Sequence, residues 1–376
     1  MATLFVYGTL CHVPLLAVVL GRVPDVAPAS LADHAVYWAQ GHDFPLIQPE
    51  AGAQAEGLLL RDLSATDMAR LDHYEGPFGY HTQKLTVSAA GGQEQALVYF
   101  PNPGLWQPGA RWNLADWAGV WGPTIVATAG DVMAVFPQQI APQRWQPMLV
   151  RGSSRVRAAE PGPTETRRSA TPGDVTQHAR HQAYAAFFAV EEYSLSFQRF
   201  DGTRSPLVKR AAFVSGDAVT VLPYDPVRDR VLIVEQFRTG PYARGDVQPW
   251  QLEAIAGRID PAETPEQAAR REAVEEAGLT LGAMIPIGAY YPSPGAKTEY
   301  LYSYVALTDL PDGAAILGGE ASEAEDIKGH LMTFDAFEAL VQRGEATTAP
   351  LLLSYYWLAR ERARLQAEAG AVVTEP

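Results

Sequence analysis

The sequence predicts an α+β protein of two domains, and three observations carry that expectation. Its 376 residues are more than one hydrophobic core usually serves. From about Gly152 to His181 there is no aromatic residue and no Leu, Ile or Phe, so this segment can bury little and reads as a linker or exposed connection. On either side of it, strand-like alternation is mixed with helical periodicity, without internal repeats. The expected division is 1–112, a helical extension and linker over 113–181, and 182–376.

The elements follow in order. "TLFVYGTL", "AEGLLL", "KLTVSA" and "QALVYF" alternate with turn residues and read as strands, and "SATDMARLDHYEG" reads as a short helix, which makes a small mixed domain with a β-rich core. From Asn113 to about Arg157, Trp117, Trp121 and Trp145 with mixed periodicity suggest helices packed on one of the two domains. Downstream, "DAVTVLPYD", "RVLIVEQF" and "YLYSYVAL" read as strands and "TPEQAARREAVEEAG" as a helix. "FDAFEALVQRGE" and "APLLLSYYWLARERARLQAEA" close the sequence as helices.

Charge and cysteine usage narrow the partners. Against 29 Lys+Arg stand 43 Asp+Glu, a formal charge of −14, which disfavours loose attraction to nucleic acid or an anionic membrane. An anionic small substrate would then need locally placed cations or metal ions. The lone Cys11 rules out an intramolecular disulfide and fits a reducing interior. The longest apolar run, Pro14 to Gly21, is too short to span a bilayer and has no basic stretch before it, so the expected location is cytoplasmic.

The most informative stretch is "ARREAVEEAG", Ala269 to Gly278. Thr264-Pro265-Glu266-Gln267 is a helix start with a capping residue, a first-turn proline and a capping-box glutamine, and Gly278 fits the stop. Glu272 and Glu276 are four apart and share a face with Glu275 beside them, a crowding that costs about 0.2–0.5 kcal/mol per pair. A solvated charged face is the ordinary reading of such a helix. Against it stands the run from Gly257 to Leu279, which satisfies G-x5-E-x7-R-E-U-x-E-E-x-G-U with Glu263, Arg271, Glu272, Glu275, Glu276 and Gly278 in place.

That run resembles the box of the Nudix hydrolases, whose fold is an α/β/α sandwich. The resemblance implies that Glu272 and Glu276, assisted by Glu275 and the carbonyl of Ala256, hold Mg2+ or Mn2+, hard cations that suit carboxylate oxygens and travel with phosphates. It also implies that Arg271 orients the helix through Glu263. Pro294, sixteen residues after Gly278, with "FQRFDG", "YDPVRDRVLIVEQFR" and "EASEAEDI", is similar to the ADP-ribose pyrophosphatase subgroup, from roughly Tyr184 to Leu365. The subgroup's reaction is metal-dependent hydrolysis of ADP-ribose to AMP and ribose 5-phosphate by a homodimer, and related nucleoside diphosphate derivatives stay open as substrates. By the same resemblance Arg238 and Arg210 would contact the diphosphate, and Glu299 would lie near the terminal ribose. Phe187 would stack on adenine or serve packing, and Glu323 would be the general base, with Glu325 its nearest competitor.

A second resemblance covers about Met1 to Pro108. "LFVYGTL" and "LDHYEGPFGYHTQKLTV" look like the gamma-glutamylcyclotransferase or AIG2-like family, a β-barrel with flanking helices. It implies that the turn Tyr7-Gly8-Thr9-Leu10 offers backbone donors to a substrate carboxylate. Glu75 would be the acid/base that lets an α-amine attack a γ-amide carbonyl and release 5-oxoproline. Cys11-His12-Val13-Pro14 departs from the family's usual continuation, and a regulatory, noncatalytic front domain stays open beside a bifunctional one. A Cys/His pairing drawn from Cys11, His73 and His81 is the weaker alternative.

Overall fold

The computed structural model describes residues 1–138, 142–314, 317–319 and 325–373. It divides into two compact units, Met1–Ala170 with Ala185–Phe187, and Thr171–Tyr184 with Phe188–Pro376.

The first unit is built on β1 (Ala2–Val6), α1 (Val13–Leu20), β2 (Val26–Ala39), β3 (Pro45–Leu63), α2 (Ala65–Glu75), β4 (Tyr80–Ala89), β5 (Gly92–Pro101) and β6 (Pro108–Arg111). Strands β3-β1-β5-β4-β2 pair in that order and β2 returns to β3, so five strands close into a barrel, with β6 added beside β2. Closure removes the free edges that an open sheet of this length would expose. Side-chain alternation splits β1 between two cores. Phe5 joins Leu31, Ile47, Leu59, Val87 and Val98 in one, while Leu4 and Val6 meet helices in the other.

Those helices are α1, α2, α3 (Leu114–Val120), α4 (Gly122–Ala134) and α5 (Trp145–Ala158). Trp117, Ile125, Val132, Met148 and Leu149 pack with Leu4, Leu16 and Leu71, so the helical extension belongs to the barrel's own core. Residues 152–181, expected as an exposed connection, divide instead. Gly152, Ser153 and Ser154 are buried in α5, and residues from Val175 form a strand. A close helix crossing buries small residues, which an apolar-run reading overlooks. A Cβ on Gly152 would come within 2.2 Å of Thr128 Oγ1 and 2.9 Å of Thr124 O. The polar composition is accommodated by charge, since buried Asp131 pairs with Arg155 at 2.7 Å and Arg151 at 3.7 Å.

The second unit begins with a three-stranded sheet, β7 (Val175–Ala185), β8 (Ala189–Phe197) and β9 (Val208–Val214). Its main sheet holds β10 (Ala218–Asp225), β11 (Arg230–Phe237), β12 (Trp250–Glu253), β13 (Ile255–Arg258), β14 (Met284–Tyr290), β15 (Leu301–Leu307), β16 (Leu317–Gly318) and β17 (Ile327–Thr333). The order is β14-β15-β10-β11-β17-β16, with β12 paired to β11 and β13 to β10. The short helix α6 (Thr239–Arg244) follows β11, and α7 (Pro265–Ala277), α8 (Phe334–Gln342) and α9 (Ala349–Val373) complete the unit. Val219, Val221, Leu232 and Val234 face the alanines of α7, while Leu222, Tyr224, Val231 and Ile233 face Phe337, Leu351 and Leu358 of α8 and α9. Period-two burial on both faces makes this an α/β/α sandwich. Among the described residues no helix is long and apolar enough to cross a membrane.

Candidate functional site

Local chemistry fixes where α7 begins and ends. Thr264 Oγ1 accepts from Gln267 N at 3.2 Å while Gln267 Oε1 accepts from Thr264 N at 2.9 Å, a reciprocal cap. Gly278 stops the helix in the left-handed region at φ 62°. Ala268, Ala269, Ala273 and Ala277 lie against the sheet, and their small size lets the backbone sit close to β10 and β13. Glu272 and Glu276 are thereby carried to the β13 end of the helix face.

Glu276 is 2 % exposed, and its Oε2 accepts from Ala256 N at 3.3 Å. Burial first, and the neighbouring Glu272 charge second, push Glu276 up to about 8 against the pull of the Ala256 N–H and Arg238. Burial likewise raises Glu272 to about 7, opposed by Arg271. Gly257 makes the crowding possible, because a Cβ there would stand 1.9 Å from the Glu272 carboxyl carbon.

Arg271 is the organiser of this corner. Its guanidinium donates to both Glu263 oxygens at 3.1 Å, to Arg258 O at 2.9 Å, to Glu272 at 2.7 Å and to Glu275 at 2.9 Å. Arg238 forks onto Glu253, with its closest contact 2.6 Å. Glu325 adds negative potential at both Glu272 and Glu276.

The structure thus brings together Glu272, Glu275, Glu276, Ala256 and Arg238. Arg210 is exposed on β9, where it donates to Lys209 O at 2.8 Å. Phe187 is exposed in the β7–β8 turn. Glu299 faces Lys297 at 3.5 Å. Glu323 lies outside the described residues.

Among the described residues no three acidic, His or Cys side chains stand ready to enclose a metal ion. The reason is geometric: Arg271 bonds both Glu272 and Glu275, and Glu276 is turned onto the Ala256 N–H. The donor set still fits a hard divalent cation. A partly buried and a buried carboxyl, the charge of Glu272 raising the pKa of Glu276, gain from a cation, and Gly257, lacking a Cβ, leaves the space in which the Glu272 carboxyl sits.

A second site lies in the first unit. After β1 the backbone enters a 3-10 turn at Thr9–Cys11, whose first N–H groups have no partner within the turn. Pro45 packs against it so closely that a Cβ on Gly8 would fall 2.4 Å from Pro45 Cγ. Helix α2 opens on a Ser64–Asp67 capping box and ends at Glu75. Tyr7, Gly8, Thr9, Leu10 and Glu75 line one cavity of about 50 Å³, with Asp43 and aromatic walls. Enclosure by protein, then the Asp72 charge, push Glu75 up to about 8, while part of its surface stays open to the cavity. The walls are tied together: Tyr7 OH donates to Tyr99 O at 2.8 Å, and Tyr99 OH to Asp72 Oδ1 at 2.6 Å.

Cys11, His73 and His81 do not assemble. Cys11 Sγ donates to Val6 O at 3.2 Å and burial pushes its thiol up to about 12. His73 bonds Val132 O and His81 bonds Asn102. Arg271 pairs with Glu263 as the sequence led us to expect, whereas its clamp on Glu272 and Glu275, and the place of Asp43, were missed. The clamp was readable from Arg271 and Glu275 at i, i+4; nothing in "GHDFPL" signals a cavity residue.

Comparison with known proteins gives two family matches. Residues 4–119 match the model described as gamma-glutamyl cyclotransferase, AIG2-like. Residues 214–353 match the NUDIX domain model. Over 185 residues, 49% of this chain and 88% of the relative, the chain is 36% identical to an ADP-ribose pyrophosphatase of Escherichia coli K12. It is 31% identical over 185 residues, 85% of the relative, to an ADP-ribose pyrophosphatase of Haemophilus influenzae. It is also 34% identical over 149 residues, 39% of this chain and 76% of the relative, to a GDP-mannose pyrophosphatase of Salmonella paratyphi B.

Proposed function

This chain belongs to the NUDIX family, with an AIG2-like domain in front of its hydrolase domain, and on that premise we propose that it hydrolyses ADP-ribose to AMP and ribose 5-phosphate. The observation that carries this reading is partly buried Glu272 beside Gly257 raising the pKa of buried Glu276, on a chain whose relatives include ADP-ribose pyrophosphatases. Glu272, Glu276 and the Ala256 carbonyl, with Glu275 assisting, would hold Mg2+ or Mn2+. When bound, the cation neutralises diphosphate charge and lowers the pKa of water.

The chain's residues do the rest. Arg238, held by Glu253, and Arg210 bind the diphosphate. Phe187 stacks on the adenine and Glu299 meets the terminal ribose. Glu323 takes the proton of the attacking water, with Glu325 as the competing carboxylate. Arg271 keeps Glu272 and Glu275 from driving each other apart until the cation arrives. The resemblance also supports a homodimer through this domain, which sedimentation of the full chain tests. The substrate test is a product screen with Mg2+ over ADP-ribose, GDP-mannose and other nucleoside diphosphate derivatives. Faster turnover of GDP-mannose than of ADP-ribose would move the assignment within the family.

A second reading is favoured by a specific observation, the cavity that joins Glu75 to Tyr7–Leu10. It supports a bifunctional protein whose front domain acts on γ-glutamyl amides. The α-amine nitrogen attacks the γ-carbonyl carbon, its proton passes to Glu75 and then to the departing nitrogen, and the amide C–N bond breaks to leave 5-oxoproline and a free amine. A carboxyl held near 8 can both accept and return that proton at neutral pH. Release of 5-oxoproline by wild type and its loss in Glu75→Gln test it. No release from any γ-glutamyl compound would leave a regulatory front domain.

A further inference from the structure

The two residues assigned to the diphosphate and the terminal ribose, Arg210 and Glu299, come from different parts of the second unit. Arg210 is on β9 of the three-stranded sheet, and Glu299 stands two residues before β15 of the main sheet. Within its own sheet β9 pairs with β8 alone. Its last residues meet the segment between β14 and β15 instead. Phe213 N donates to Ala296 O at 2.8 Å, and Phe213 O accepts from Thr298 N at 3.1 Å. Phe213 and Lys297 thus form a single parallel bridge. The Phe213 ring packs on Phe188 with centroids 4.7 Å apart, and the Lys297 ammonium stands 5.8 Å from its centroid.

A single bridge leaves a strand free to pivot, and the Thr298 side chain supplies the second point of attachment. Thr298 Oγ1 accepts from Ser215 N at 3.1 Å and donates to Ser215 O at 3.1 Å. One hydroxyl so satisfies both backbone groups of Ser215, a residue that is 4 % exposed. Without it a buried donor and a buried acceptor lose their partner together. Glu299 follows Thr298 directly, and Arg210 is three residues, about 10 Å of extended chain, from Phe213.

The geometry points to Thr298 as a positioning residue for substrate: its hydroxyl sets β9 against the Glu299 segment, so that Arg210 and Glu299 keep one separation and hold the diphosphate and the terminal sugar of the same ligand. This rests on the ADP-ribose reading of those two residues. The carboxylates assigned to the metal are on α7 and the Ala256 carbonyl is on β13. Among the described residues the Thr298 hydroxyl bonds to neither element. Its contribution is therefore to binding that ground state and transition state share, which appears in KM and not in kcat.

The test measures initial rates of ADP-ribose hydrolysis by the full chain, in saturating Mg2+, for wild type, Thr298→Val, Thr298→Ser, Arg210→Met and the Thr298→Val/Arg210→Met double variant. Thr298→Val keeps the shape and removes the hydroxyl; it raises KM about tenfold or more and leaves kcat and the Mg2+ requirement within about twofold of wild type. Thr298→Ser restores the hydroxyl and returns KM close to wild type. In the Arg210→Met background Thr298→Val adds little, because both changes remove the same contact. Thr298→Ala leaves room for water to bond Ser215, and its raised KM replaces the Thr298→Val result if that variant does not fold. Unchanged KM in Thr298→Val or Thr298→Ala, a loss confined to kcat, an equal loss in Thr298→Ser, or full additivity with Arg210→Met overturns the role of Thr298 and leaves the ADP-ribose reading standing. No hydrolysis of ADP-ribose by wild type overturns that reading, and the role of Thr298 with it.

Discussion

Gly257→Ala separates a metal-site role from a folding role. The added Cβ would lie 1.9 Å from both Cδ and Oε1 of Glu272, so the carboxyl has to leave. Those atoms are the far end of a flexible side chain, which makes the move cheap for folding. The cost falls at the low end of overpacking, about 1 kcal/mol, or roughly 2–4 °C in the melting of a domain this size. Displacement also breaks the 2.7 Å bond from Arg271 to Glu272 Oε1. Catalysis loses more, because a metal site whose ligand is turned away forfeits on the order of 100-fold in metal affinity or turnover. The assay is ADP-ribose hydrolysis across a Mg2+ titration, with melting followed in parallel. A variant that melts within a few degrees of wild type and needs far more Mg2+ fits the structure. Unchanged Mg2+ dependence and unchanged turnover would refute the placement of Glu272.

Three further outcomes concern Glu75, Gly152 and Cys11. Glu75 has its folded-state pKa raised to about 8, above its unfolded value, so the protonated form favours folding and stability falls as pH climbs from about 4.5 to 8. The melting temperature of Glu75→Gln minus that of wild type therefore widens between pH 5 and pH 9, and a difference that narrows contradicts the burial of this carboxyl. Gly152→Ala places a Cβ 2.9 Å from Thr124 O and 2.2 Å from Thr128 Oγ1, which destabilises the first unit by about 1–3 kcal/mol in denaturant melts. The same melts showing no change would mean that α5 does not cross α4 so closely. Cys11, with its thiol raised to about 12, reacts with iodoacetamide at pH 8 at least about a hundredfold more slowly in the native protein than in denaturant, and equal rates would contradict its burial.

What the sequence revealed and what it concealed divide along physical lines. The helix from Thr264 to Gly278 was legible to the residue because its start, stop and spacing are set by local chemistry. Strands β10, β11 and β15 were legible because each carries a mostly apolar, largely buried run bounded by polar or turn residues. Strands β7 and β9 were not. The side chains of β7 are mostly exposed, and those of β9 are exposed or half-buried up to Val214, so no hydrophobic pattern marks them. The burial of the polar second half of α5 was hidden because it rests on Gly152 and the Arg151–Asp131–Arg155 ion pairs rather than on large apolar groups. Within the candidate sites, the carboxylates on one helix could be grouped from spacing. Asp43 and Glu75 are brought together only by the closed barrel and the end of α2.

The most direct test of the central claim is the rate at which AMP forms from ADP-ribose in saturating Mg2+, compared between wild type and Glu276→Gln. Glu276 is the most buried carboxylate of α7, and with Glu272 it carries the metal assignment. Removing its charge lowers the rate by about 100-fold or more while the fold persists. AMP formation at the wild-type rate would contradict the assignment of this carboxylate pair as the seat of the reaction.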